Sequence, residues 1–297
     1  MRSLSRALYD AVSVTISEVD KVGVAFSGGV DSSILAMICR NLNKQVTLLT
    51  VGFPESHDIS FSRMIASKMG MEHKLYEIGH VDFEENVRHV LREIECKNIS
   101  HIENCLGYIY ICRIAKENNL NLVLSANGCD ELFYGYDVYR RLYDSGEAEL
   151  NRVMGDKIDN ELALIDDIEI TIARSGIQIR QPFLSSRFIQ FAKSIQFGHK
   201  ILGPNDMLRK HVLRWTALEI GVPIESAMKP KKALQYGSSI HKYFKKIDRK
   251  NKNIVSSLME DGSHRIGNES PHRKEDNWIR SRYLPSDTGT TCLKKKT

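Results

Sequence analysis

At 297 residues the chain can hold one large domain or two small ones, and 42% hydrophobic residues is enough to bury a sizeable core, which excludes disorder throughout. The formal net charge is +5, but residues 261–297 carry eight Lys/Arg against five Asp/Glu, so +3 of it sits in that stretch; the near-neutral remainder argues against a protein built mainly to bind nucleic acid. No apolar run approaches the ~20 residues that span a bilayer, and "MRSLSRALYDAVSVTISEV" alternates polar and apolar residues where a signal peptide would build an apolar core, so a cytoplasmic protein without membrane contact is expected.

In chain order, "KVGVAF" (Lys21 to Phe26), "QVTLLTVGF" (Gln45 to Phe53) and "LNLVLSA" (Leu120 to Ala126) are short, β-branched and without alternation, as strands buried on both faces should be. Between them lie the helical periods "SSILAMICRNL", "SFSRMIASKMG" with a closing Gly70, and "CLGYIYICRIAKENN". Alternation of this kind predicts an α/β fold, a parallel twisted sheet with helices on both faces, whose ligands collect at the carboxyl ends of the strands. After about Tyr143, "DDIEITIARSGIQIR", "SSRFIQFAKSIQ" and "DMLRKHVLRWTALEI" read as successive helices. The expected organisation is one unit over residues 1–259, sheet-rich to about 143 and helical from 144. Residues 260–297 form a polar, basic tail expected to be poorly ordered.

Six cysteines, Cys39, Cys96, Cys105, Cys112, Cys129 and Cys292, form no C-x-x-C pair, and ten histidines fall without ligand spacing. Reduced, mostly buried thiols are expected.

The chemistry concentrates in "VAFSGGVDSS", Val24 to Ser33. A buried strand ending in Ser-Gly-Gly and turning into a helix gathers backbone N–H groups, hydroxyls and a positive helix terminus around one cavity, which is an anion site. Gly28 and Gly29 permit close approach; Ser27, Ser32 and Ser33 can donate to phosphate oxygens. Asp31 beside a bound phosphate implies a cation between them, and Mg²⁺ suits oxygen ligands. Neither G-x-x-x-x-G-K-[ST] nor G-x-G-x-x-G is present. An ordinary strand–turn–helix with an N-cap serine is the plainer alternative.

"SGGVDSS" resembles the pyrophosphate-binding loop of the ATP pyrophosphatase superfamily, whose members cleave ATP to AMP and pyrophosphate. Three further stretches resemble asparagine synthetases in particular: "VLSANGCDELFYGY" (Val123 to Tyr136) is similar to L-S-G-E-G-x-D-E-L-F-G-G-Y, "SGIQIRQPFLS" (Ser175 to Ser185) to G-V-E-x-R-x-P-F-L-D, and "AMKPKKALQYGSS" (Ala227 to Ser239) to R-x-K-x-x-F-x-x-G. "TVGFPESHD" and "MGMEHKLYEI" are similar to the stretch after the second strand. The resemblance covers roughly residues 20–240 and implies an adenine nucleotide alpha-hydrolase-like fold.

It also implies a mechanism. Adenine would lie near Thr50, Val51 and Gly52, and the sugar and α-phosphate near Ser125 and Ala126. Asp31 and Asp130 match the acids that hold Mg²⁺ on the pyrophosphate of ATP. A small-molecule carboxylate would attack the α-phosphorus, and ammonia or another amine would then attack the acyl-adenylate. Lys231 and Arg180 match catalytic positions of the family. Each has a plainer role beside this: Asp130 as an N-cap, Arg180 as a structural partner, Lys231 as one of several solvated lysines.

The departures from the family are as informative. Arg2 follows Met1 where a glutaminase domain would expose a nucleophilic cysteine, so ammonia is expected from solution or from a separate glutaminase subunit. Asn127 stands where asparagine synthetases have Glu and β-lactam synthetases Tyr, Gln178 replaces the Glu of G-V-E-x-R, and Ser185 the Asp of P-F-L-D. An amide can neither act as a base near neutral pH nor pair ionically with an ammonium, so nucleotide handling is expected to be retained and the acceptor side altered. Two other classes stay open: a degenerate ATP-binding scaffold that serves a separate glutaminase, and a tRNA-modifying enzyme using "KYFKKIDRKNK" as a basic patch, which a solvated helix face explains more simply.

Overall fold

The computed structural model describes residues 3–95, 98–230 and 234–250. Its elements run α1 (Leu4–Thr15), β1 (Lys21–Ala25), α2 (Val30–Asn41), β2 (Gln45–Gly52), α3 (His57–Met69), β3 (Glu72–Glu77), α4 (His80–Glu93), α5 (Ile99–Glu117) and β4 (Leu122–Leu124). They continue with α6 (Cys129–Leu132), α7 (Asp137–Arg141), α8 (Glu147–Ile172), β5 (Gln178–Arg180), α9 (Ser186–Lys193), α10 (His211–Ile220), α11 (Ile224–Ala227), α12 (Leu234–Gly237) and α13 (Ile240–Lys250). The strands form one parallel sheet of order β3-β2-β1-β4-β5. β1 is central: Val24 lies opposite Leu48 on one side and Leu124 on the other.

The lack of alternation in the strands follows from burial on both faces. Val22, Val24 and Leu48 point into a core shared with α1, α2 and α10, while Leu49, Val51 and Val123 point into a second core shared with α4, α5 and α8. On the second face β1 offers only Gly23 and Ala25, and Leu49, Leu120 and Val123 close over Gly23. α3 ends at Gly70, as expected, with φ of 60° in the left-handed region.

Three expectations are corrected. "DDIEITIARSGIQIR" is α-helical to Ile172 and 3₁₀-helical over Ala173–Ser175; after Gly176, whose φ of 76° stops the helix, Gln178–Arg180 is strand β5, with Ile179 opposite Val123. Pairing with the open edge of β4 outweighs the local helical period, so the sheet draws a strand from the half expected to be helical. α8 begins at Glu147, well before the helical period was read. The N-terminal stretch, read only as alternating, is helix α1, burying Leu4, Leu8 and Val12 at i, i+4, i+8.

Cys39, Cys105, Cys112 and Cys129 are buried free thiols, and burial pushes Cys39 up to about 12 and Cys112 up to about 11. Cys96, Cys292, Lys231 and the 260–297 tail lie outside the described residues. Among the described residues no helix is long and apolar enough to cross a membrane.

Gly23→Ala tests the packing of the central strand. Its Cβ would lie 2.9 Å from Leu49 Cδ1 and 3.1 Å from Val123 Cγ2, and overpacking of this kind costs about 1–3 kcal/mol. Urea denaturation should show that loss.

Candidate active site

Two turns at the carboxyl ends of neighbouring parallel strands build the site. The first follows β1: Ser27 and Gly28 lead to Gly29, which caps the twelve-residue helix α2. Gly28 has φ of +74°, and a Cβ there would meet Phe61 Cδ1 at 2.9 Å. Ser32 Oγ donates to Gly29 O at 3.2 Å and accepts from Ser27 N at 3.4 Å, which folds the loop around the helix terminus. The second turn follows β4: Gly128, with φ of +96°, admits Leu184 against its backbone and starts α6, which carries Asp130. A cavity of about 450 Å³ opens between the turns, α5 and α8.

Lys210 joins the two turns. Its Nζ lies 2.6 Å from Asp31 Oδ2 and 2.5 Å from Asp130 Oδ1, and its side chain is 1% exposed. Burial opposes the ammonium charge, but Asp130 and then Asp31 outweigh it and hold Lys210 above the ordinary lysine value. Gly135 makes the approach possible, because a Cβ there would collide with Asp130 and Lys210. Lys210 and Arg209 both adopt left-handed backbone, φ of 55° and 53°. The bend is held by Asp206, whose Oδ1 accepts from the amides of Leu208 and Arg209 at 3.0 Å each. Arg214, fully buried, donates to the carbonyls of Leu208, Arg209, Ala227 and Lys229. It thereby ties the Lys210 bend to the segment leading to Lys231, of which Lys229 and Pro230 line the cavity.

The apolar side of the cavity is Phe26, Leu49, Val51, Ile111 and Leu164. Thr50 Oγ1 donates to Phe26 O at 2.5 Å and lies 2.8 Å from His73 Nε2. Burial, with Arg63 adding, lowers His73 to about 4, so the neutral ring donates to Thr50. At the opposite side Ser125 and Tyr108 both donate to Asn127 Oδ1, and Asn127 Nδ2 donates to Glu161 Oε1. Glu131 accepts from Tyr136 at 2.5 Å; burial foremost, then Glu161 and Asp130, push it up to about 8.

The asparagine synthase family profile matches residues 3–169 and 163–283. This chain belongs to the asparagine synthase family. A Methanocaldococcus jannaschii protein named asparagine synthetase 1, glutamine-hydrolyzing, is 30% identical over 279 residues, 83% of this chain and 51% of its own. The glutamine-hydrolyzing asparagine synthetases of Rattus norvegicus and Gallus gallus are 26% and 25% identical, over 88% and 94% of this chain and 48% and 52% of theirs. The chain spans about half the length of these relatives. Among solved structures, an NMN synthetase from Francisella tularensis aligns at a TM-score of 0.42 and 13% identity, over 91% of this chain and 98% of its own.

Of the residues singled out by the family's motifs, Ser27, Gly29, Asp31, Ser32, Thr50, Val51, Ser125, Ala126, Asn127 and Asp130 line the cavity. Gly28 shapes the turn from behind. Ser33 faces away and accepts from Ser226 at 2.9 Å, and Gly52 is covered by Ser238 and Ile59. Three residues are not brought there. Arg180 donates to Thr15 O and to Gln178 Oε1, both at 2.8 Å, so it ties β5 to the end of α1 and does not line the cavity. Gln178 is exposed on the edge strand, and Ser185 caps α9. Of the three family carboxylates absent from this chain, only the one at residue 127 belongs to the cavity. Lys210, Arg214 and Glu161 were missed by sequence reasoning.

Two outcomes check this geometry. Lys210→Met leaves two partly buried carboxylates facing each other, and breaking such a group costs about 3–5 kcal/mol; adding Asp31→Asn should recover part of that loss in the same denaturation experiment. Glu131 gives the second. Its folded-state value is raised from 4.5 to about 8, so its contribution to stability is full below the unfolded value and is lost as pH rises through about 8. Glu131→Gln should therefore flatten the fall in denaturation midpoint across that window.

Proposed function

We propose that this chain is an ATP-dependent amide-forming ligase: it joins a carboxylate to AMP with release of pyrophosphate, then passes the acyl group to ammonia or another amine. The observation that carries the reading is the convergence of Asp31, Asp130 and Lys210 beside the glycine turn and the N-terminus of α2. Helix terminus, hydroxyls and ammonium attract a polyphosphate, and the adjoining apolar wall suits a purine.

Asp31 and Asp130 fit a divalent ion. Both carboxylates line the cavity, Asp31 Oδ1 is buried without a hydrogen-bond partner among the described residues, and Mg²⁺ is ordinarily held by one or two carboxylates plus substrate phosphates. When bound it would neutralise charge on the departing pyrophosphate. The chain's own groups do the rest. Ser27, Ser32 and Lys210 grip the β- and γ-phosphates. Ser125 and the Thr50–Val51 edge orient the nucleotide, so that its α-phosphorus faces the chamber lined by Asn127, Glu131 and Glu161. Lys231, in the family's lysine position, supplies charge to the α-phosphate and the acyl oxygen. Acceptance of aspartate itself is open to change, because Asn127 replaces an acid at the wall the acyl group meets.

The experiment is AMP and pyrophosphate release from Mg-ATP with ammonia, comparing aspartate with a panel of other carboxylates. Turnover should depend on one of these acids. Asp31→Asn weakens the hold on the divalent ion, and loss of one electrostatic contact to the transition state is worth about 10²–10³ in kcat, whereas Arg180→Gln should leave turnover unchanged. Nucleotide binding with no pyrophosphate release on any acid would leave a binding scaffold in place of an enzyme.

A further inference from the structure

Past Asn127 and Glu161 the cavity continues between the start of α5 and the middle of α8. Tyr108, which reaches Ser125 and Asn127, lies on the cavity face of α5. Asn104 and His101 stand about one and two turns before it on that face, with Ser100 and Asn98 at the helix start. Across from them α8 presents Lys157 and Asn160. This wall is polar throughout, yet none of these side chains is an acid.

Hydrogen bonds fix which way the amides point. Asn98 Oδ1 accepts from Ser100 N at 2.9 Å, which directs its Nδ2 to Asn160 Oδ1 at 3.4 Å. His101 Nε2 lies 3.3 Å from the same Asn160 oxygen and His101 Nδ1 lies 2.7 Å from Asp167 Oδ2, so the ring ties α5 to α8. Asn104 Nδ2 donates to Ser100 O at 2.7 Å. Among the described residues this leaves Asn160 with an unengaged donor, Nδ2, and Asn104 with an unengaged acceptor, Oδ1. A fixed donor and a fixed acceptor, both uncharged and on facing helices, complement hydroxyl groups, each of which gives one hydrogen bond and takes others.

An α-ammonium finds no counter-charge in this wall. Lys157 is a like charge, and the Asp167 carboxylate is taken up by His101. The acids of the adjoining chamber, Glu131 and Glu161, already accept from Tyr136 and Asn127. Enclosing an ammonium among amides and a lysine costs more than enclosing a neutral hydroxyl that both amides can bond.

We propose that this wall is the subsite for the body of the acid substrate, and that the acid is a hydroxylated one, a sugar acid, instead of an α-amino acid. The inference rests on the ligase reading. The reacting carboxylate meets the α-phosphorus beside Asn127, and the carbon chain behind it runs along the start of α5, where Asn104 and Asn160 bind its hydroxyls.

Carboxylate-dependent exchange of labelled pyrophosphate into ATP, run with the full chain, reads adenylation acid by acid. Gluconate and glucuronate should exceed aspartate, glutamate and hexanoate, the six-carbon acid without hydroxyls, by about 10-fold or more in kcat/KM, because each neutral hydrogen bond is worth about 2- to 10-fold and several act together. Asn104→Leu and Asn160→Leu should each lower gluconate exchange about 2- to 10-fold without lowering that of hexanoate. Both variants should keep the KM for ATP, which also reports that they fold. Preference for aspartate or glutamate overturns the inference, as does equal use of gluconate and hexanoate, or variants that depress the two alike. Absence of exchange with every acid in the unmutated chain is a different result: it sinks the ligase reading first, and this inference falls with it.

Discussion

The site depends on one buried cation between two acids. Lys210 is almost fully enclosed, and without it Asp31 and Asp130 would face each other across a space with few other counter-charges. Because the acids stand on turns after two different strands, the ion pair fixes the distance between those turns. Burial makes the arrangement costly to form and costly to break, since the attraction must repay the loss of hydration on three groups. The same property makes it suited to a polyanion, which can bring a divalent ion and replace one network of charges by another.

Steric permission comes from glycine. Gly28 and Gly128 take backbone angles that side chains avoid, and Gly135 leaves room for the Lys210 stem beside Asp130. Arg214 then secures the unusual bend at Arg209 and Lys210 by binding four carbonyls. A parallel sheet supplies the common edge on which both turns sit, so the fold contributes register and the loops contribute chemistry.

In the sequence, the substitutions at residues 127, 178 and 185 read together as a loss of three charges. In space they separate: one faces the chamber, one lies on an exposed strand edge and one caps a helix. The chamber keeps a carboxylate nonetheless, drawn from the middle of α8, and Asn127 serves it with a hydrogen bond. That carboxylate stands on a helix that none of the family's quoted motifs covers.

Short-range chemistry was legible in the sequence. The glycine turn, its serines, Asp31 and the stop at Gly70 were readable because backbone freedom and hydrogen-bonding capacity are properties of a few consecutive residues, and so was the run of unalternated strands. Lys210, Arg214 and Glu161 were not, since a lysine or arginine in "LRKHVLR" and a glutamate in a long helix look like any solvated face. Their roles come from partners far along the chain, Asp31 lying 179 positions from Lys210 and Asn127 lying 34 from Glu161. Arg180 shows the converse: its motif marked it for the site, and the pairing of β5 with β4 turned it toward the end of α1. Local covalent neighbours determined which elements form and where an anion can be held; only tertiary packing decided which charges are desolvated together, because electrostatic strength depends on burial and on neighbours that no local window contains.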